Sequence, residues 1–134
     1  MKKLVIRSFQ ERDIDAILEL NRKEGWEGLV SKEDTLHAWI NSEPALVAVV
    51  NQEIVGYLRG ITDAAVTLYI SEILVREEDR GKGVSLRLIQ EAHSCYPSTR
   101  MEMLATGKSE EYYKKQGFRP FYGFRKAAEE FKRA

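Results

Sequence analysis

The stretch from residue 69 to residue 91 constrains this chain most. It runs from an apolar strand, Y-I-S-E-I-L-V, through a charged turn, R-E-E-D-R-G-K-G-V-S, into an amphipathic helix, L-R-L-I-Q-E-A. A strand that feeds a short glycine-containing loop and then a helix aims unpaired backbone N–H groups, and the positive end of a helix dipole, at one point in space. That point suits a phosphate. Two phosphate loops that also follow strands fit poorly. G-x-G-x-x-G needs a glycine where Leu86 stands, and Gly81-Lys82-Gly83 does not complete G-x-x-x-x-G-K-[ST].

At 134 residues the chain is long enough for one domain, 1–134, with a core that needs neither disulfide nor metal. Lys plus Arg equals Asp plus Glu at 21 each, so no global field recruits nucleic acid or an anionic membrane. Partners must therefore be argued from a site. A lone cysteine, Cys95, permits no internal disulfide and suits a reducing compartment. There is no hydrophobic signal core, and no run approaches the roughly 18 apolar residues of a membrane span. The expectation is a cytoplasmic protein.

Alternation over 3–9 predicts a first strand, and the change of period from Glu11, with Ile14, Ile17, Leu18 and Asn21 three and four apart, predicts a helix ending near Gly25. Residues 26–30 read as a loop. Ser31 to Asp34 has the form of a capping box opening a second helix, with Leu36, Trp39 and Ile40 inward. Runs 46–50 and 53–61, separated by Asn51-Gln52, predict a hairpin; 65–75 is the longest strand. A helix over 82–95 carries Val84, Leu88, Ile89, Ala92 and Cys95 on one side, which makes Cys95 a buried thiol. A strand over 100–105, a short helix over 109–116 ended by Gly117, and a last strand or strand pair over 118–124 follow. The polar tail 125–134 has Ala127, Ala128 and Phe131 at helical spacing. The order β-α-α-β-β-β-α-β-α-β implies a mixed α/β sheet with helices on both faces.

Arg80-Gly81-Lys82-Gly83-Val84-Ser85 resembles the pyrophosphate loop [QR]-x-x-G-x-[GA] of the GCN5-related N-acetyltransferases (GNAT), with Ser85 in place of the final small residue. Leu74-Val75-Arg76 and the acidic turn after it are similar to that family's L-x-V-x-P-x-x-R-G-x-G run, with Glu77 where the proline usually sits. Tyr112-Tyr113-Lys114-Lys115-Gln116-Gly117-Phe118 is close to its [FY]-Y-x-x-x-G-F run. Val55-Gly56, Trp26, Arg59 and Thr62-Asp63 are weaker echoes of small bacterial members that act on amines. The resemblance covers nearly the whole chain. It implies a mostly antiparallel central sheet with acetyl-CoA, as co-substrate, in a cleft at the central strands, and it admits a homodimer.

On this resemblance, the backbone N–H groups of 80–85 hold the pyrophosphate, glycines 81 and 83 let the chain approach it, and Arg80 and Lys82 add charge. The backbone of Ile73, Leu74 and Val75 would pair with the pantetheine like an added strand, one N–H polarising the thioester carbonyl. Thr106 falls where the family often has a pantetheine-binding asparagine. Tyr113 matches the tyrosine that can protonate the departing thiolate, which a phenol can do at neutral pH.

Glu72 is reached from strand parity: in a regular strand Val66, Leu68, Ile70, Glu72 and Leu74 share a face. A carboxylate in an apolar row is a stronger base than one in water, which deprotonating an ammonium requires. The alternatives are a water chain as base, pairing of Glu72 with a lysine or arginine, and a β-bulge that turns it outward. Trp26, Trp39, Arg59 and Asp63 are acceptor-pocket candidates, Trp39 as core and Trp26 as a substrate wall. Arg59 either binds an acidic substrate group or sits on a sheet edge. His37 and His93 lack metal-ligand spacing, and no nucleophile elbow is visible, which favours direct transfer. The expected activity is acetyl transfer to a primary amine of a small molecule. A protein N-terminus or lysine, or a non-catalytic acyl-CoA-binding module, is the alternative.

Overall fold

The structure, a computed structural model, describes residues 3–26 and 31–132. It divides into two compact units, Met1–Met103 and Leu104–Ala134. In the first, five strands form one sheet in the order β1-β2-β3-β4-β5: β1 (Leu4–Ser8), β2 (Ala45–Val50), β3 (Glu53–Thr62), β4 (Thr67–Val75) and β5 (Arg100–Met103). The first four pair antiparallel and β5 lies parallel to β4.

Short connections dictate that order. Asn51 and Gln52, at φ 51° and 65°, make the two-residue turn whose twist matches its flanking strands. Asp63 closes the next turn, its Oδ1 accepting from the N–H groups of Ala65, Val66 and Thr67 at 3.0, 2.8 and 3.1 Å. The parallel β4–β5 pair needs a crossover, and α3 (Val84–Cys95) supplies it.

One face of the sheet is covered by α1 (Ile14–Lys23) and α2 (Lys32–Ile40), whose Ile14, Ile17, Leu20 and Trp39 cluster with Val47, Tyr57 and Leu74. Ser31 caps α2, its Oγ accepting from the Asp34 N–H at 3.0 Å. The other face takes α3, which buries Val84, Leu88, Ile89 and Ala92. Leu46, Ala48, Leu58, Leu68 and Ile70 are buried on that side. Among the described residues no helix is long and apolar enough to cross a membrane.

Three expectations are corrected. Ile40 is 52% exposed and Cys95 is exposed rather than buried, because both end their helices beside an open cleft of about 580 Å³ at the start of β2. Among the described residues β5 is the last strand, and 118–124 is irregular; Pro120, lacking an N–H, cannot donate to a ladder there. Past Trp26, the predicted loop 26–30 lies outside the described residues, as do 133–134 of the tail. The second unit contains α4 (Glu110–Lys115) and α5 (Ala128–Phe131).

Candidate active site

The register of β3 against β4 carries the site. Arg59 pairs with Glu72, but Gly60 pairs with Ile70, so Ser71 is an extra residue, a β-bulge. Cross-strand partners share a face. Leu68 and Ile70 therefore point toward α3, whereas Glu72 and Leu74 point toward α1 and α2. The single apolar row expected from parity is broken in the middle, and Glu72 leaves it.

Glu72 is ion-paired: Arg59 Nε donates to its Oε1 at 2.8 Å, with side chains 18% and 35% exposed respectively. Arg59 Nη1 also donates to Ser42 Oγ at 3.2 Å. Arg59 thus stands on an inner strand rather than a sheet edge. Next to the pair, the Tyr57 hydroxyl donates to Asn21 Oδ1 at 2.6 Å. Burial, and after it the Glu72 charge, hold the Tyr57 phenol far above its ordinary range. Asn21 was legible as a polar residue at an inward helical position; Ser42 gave no sequence signal.

Beyond Ile70, β4 has no strand partner on the side away from β3 among the described residues, because its pairing with β5 ends at Ile70 and Met103. The backbone of Ile73, Leu74 and Val75 therefore has no ladder partner on that side among the described residues. A turn at Glu77–Asp79 leads from there into the loop. Gly81 and Gly83 have φ of +76° and +81°, and a Cβ on either would meet nothing within 4 Å, so conformation demands glycine and the space before them is open. Gly83 caps α3 with no side-chain bond, and the first turn of α3 has no acid. The first N–H groups of α3, from Val84, lie at its positive end. Arg80 donates to the Val75 carbonyl at 2.8 Å and to Glu24 Oε1 at 2.6 Å, while Lys82 is 64% exposed and 3.8 Å from Asp79. Ser85 lies in the first turn of α3.

In the second unit, Tyr113 sits on α4, its ring edge-on to Tyr112 at 5.2 Å and to Phe118 at 5.7 Å. Burial, then Tyr112, hold its phenol above the ordinary value. Gly117, at φ +92°, ends the helix and lets the Phe118 N–H reach the Tyr113 carbonyl at 3.0 Å. Thr106 Oγ1 lies 3.2 Å from Ser109 Oγ in the turn before α4.

Of the remaining candidates, Trp26 is 49% exposed at the end of α1 and Trp39 is core, 1% exposed. Asp63 serves the β3–β4 turn instead of a pocket, and the three backbone N–H donors, Val66 first, lower its pKa from 3.8 to about 2. A depressed carboxyl pKa gives stability that is present above the unfolded value and lost as pH falls through the folded one. Wild type should therefore exceed Asp63→Asn in urea midpoint at pH 6, and the gap should close between about pH 4 and pH 2.

A family model of the acetyltransferase (GNAT) domain matches residues 41–120, more than half of the chain. No curated protein sequence matches. Among solved structures, a GNAT family acetyltransferase from Streptococcus pneumoniae superimposes with TM-score 0.78 at 18% identity, covering 95% of this chain and 98% of that one. An aminoglycoside acetyltransferase from an uncultured soil metagenomic sample, in complex with sisomicin, gives TM-score 0.71 at 16% identity, with coverage of 92% and 95%. Diaminobutyrate acetyltransferase from Paenibacillus lautus, in complex with L-2,4-diaminobutyric acid and coenzyme A, gives 0.70 at 18%, with coverage of 85% and 72%. These likenesses bear on the fold, and the sequence match on the family: the chain belongs to the GNAT acetyltransferase domain family.

Proposed function

We propose that this chain transfers an acetyl group from acetyl-CoA to a primary amine of a small molecule by direct attack, with both substrates bound at once. The observation that supports it best is the continuous run from the unpaired side of β4 through Gly81 and Gly83 to the acid-free start of α3, which Gly83 caps without a side-chain bond. An extended arm bearing a pyrophosphate at one end needs those two features in that order.

In this reading the N–H groups of 80–85 take the pyrophosphate, and the backbone of Ile73, Leu74 and Val75 takes the arm. Thr106 offers it a hydroxyl in place of an amide. Trp26 walls the acceptor. Glu72 removes one proton from the acceptor ammonium; the freed lone pair attacks the thioester carbon, the C–N bond forms and the C–S bond breaks. Tyr113 protonates the sulfur and regains, through solvent, the second proton from nitrogen. One proton per turnover leaves from Glu72 to water. An N–H donor already in place at the carbonyl oxygen stabilises the charge that develops there.

The test is to incubate the protein with acetyl-CoA and a panel of amines while following free thiol. Tight binding of coenzyme A with no amine-dependent thiol release would sink the enzyme reading. Glu72→Gln should lower turnover at neutral pH by about 10²-fold and move the pH–rate profile to the alkaline side, where the amine deprotonates unaided. An unchanged profile would assign the proton to water.

A further inference from the structure

From the Arg59–Glu72 pair we infer that the acceptor is a small amino acid, carrying a carboxylate within a few bonds of the amine that is acetylated. The inference rests on the proposed transfer only in naming which amine reacts. A lone carboxylate at position 72 would welcome any ammonium. Here Arg59 lies on its register partner, 2.8 Å away across adjacent strands, and a second contact to Ser42 steadies its guanidinium. A simple amine that approached Glu72 would bring its positive charge against Arg59 and would leave that guanidinium without its carboxylate. An amino acid brings both halves of the exchange: its carboxylate replaces Glu72 on Arg59, and its ammonium replaces Arg59 on Glu72. No charge is left unpaired, and a planar guanidinium suits a carboxylate in two-point contact.

Three further observations favour exchange over a purely structural ion pair. The side chains are 18% and 35% exposed, so neither is sealed in the core. The bulge at Ser71 turns Glu72 out of the apolar row of Leu68 and Ile70, onto the stretch of β4 whose far edge has no strand partner among the described residues. The Tyr57–Asn21 bond satisfies the polar groups beside the pair without using either charge. Arg59 is then a specificity-determining residue and Glu72 the group that meets the ammonium.

The experiment compares three matched pairs: lysine and cadaverine, 2,4-diaminobutyrate and 1,3-diaminopropane, phenylalanine and phenethylamine. Binding is read by calorimetry on the full chain with coenzyme A present, and turnover by thiol release with acetyl-CoA. At least one acid should bind about tenfold or more tightly than its decarboxylated partner, and Arg59→Gln should erase that ratio while Arg59→Lys keeps part of it. Equal binding within every pair, preference for the amines, or an unchanged ratio in Arg59→Gln would overturn the inference. Thiol release absent with every acceptor, while an acid still outbinds its amine, would end the transfer reading and leave the ligand class standing.

Discussion

Replacing Tyr113 by phenylalanine should lower turnover by about 10²-fold or more, with acetyl-CoA affinity changed by less than about twofold. The two quantities separate because, in the proposed reaction, the phenol acts only as sulfur departs, whereas the ring stays in place against Tyr112 and Phe118. A phenol is already protonated at neutral pH, and burial, then Tyr112, raise its pKa further, so the proton is in place when it is needed while the acid is weaker than an exposed tyrosine. Stopped-flow turnover and equilibrium binding on the same preparation check this. Equal turnover in Tyr113→Phe would remove the residue from the mechanism, and a parallel loss of binding would make it a packing residue.

Trp39→Ala should be the most damaging single change to the fold, lowering unfolding free energy by about 3–5 kcal/mol. Its indole is 1% exposed and lies 4.9 Å from the Phe9 ring and 5.2 Å, edge-on, from Tyr57. The cavity would open beneath the strand that carries Tyr57 and Arg59, inside the cluster that Ile14, Ile17 and Leu20 share with Trp39. Urea denaturation at constant m-value measures the loss; a change below about 1 kcal/mol would show that the helices close the gap.

How far the sequence could be read depended on whether local spacing decided the outcome. The period of Ile14, Ile17 and Asn21, the Ser31 cap and the Gly117 stop are local, and each element formed where its residues predicted. Gln52 is a poor turn residue by composition, yet the strands on either side leave only two residues between Val50 and Glu53, and the chain accepts its positive φ. Glu72 was found as a charge in an apolar strand, while its direction depended on Ser71, a residue with no signal of its own. Arg59 as its partner required the pairing of β3 with β4, a contact between distant positions that alternation cannot supply. Thr62-Asp63-Ala64 reads as a turn from its residues alone, and the turn formed there; Asp63 became an acceptor candidate only through the family echo at Thr62-Asp63. The strand or strand pair expected at 118–124 was already interrupted by Pro120 in the sequence, and no strand formed there.

The extra residue at Ser71 also acts as a change of phase. Before it, every second side chain of β4 answers to α3; after it, every second side chain answers to α1 and α2. Leu68 and Ile70 can therefore vary with the packing of one layer while Glu72 varies with whatever lies on the other. Deleting Ser71 would make Glu72 the immediate neighbour of Ile70 and leave it facing α1 and α2 by plain alternation; drawing Ser71 into a regular ladder would instead turn Glu72 under α3, so the strand's service to two layers depends on how one residue is accommodated.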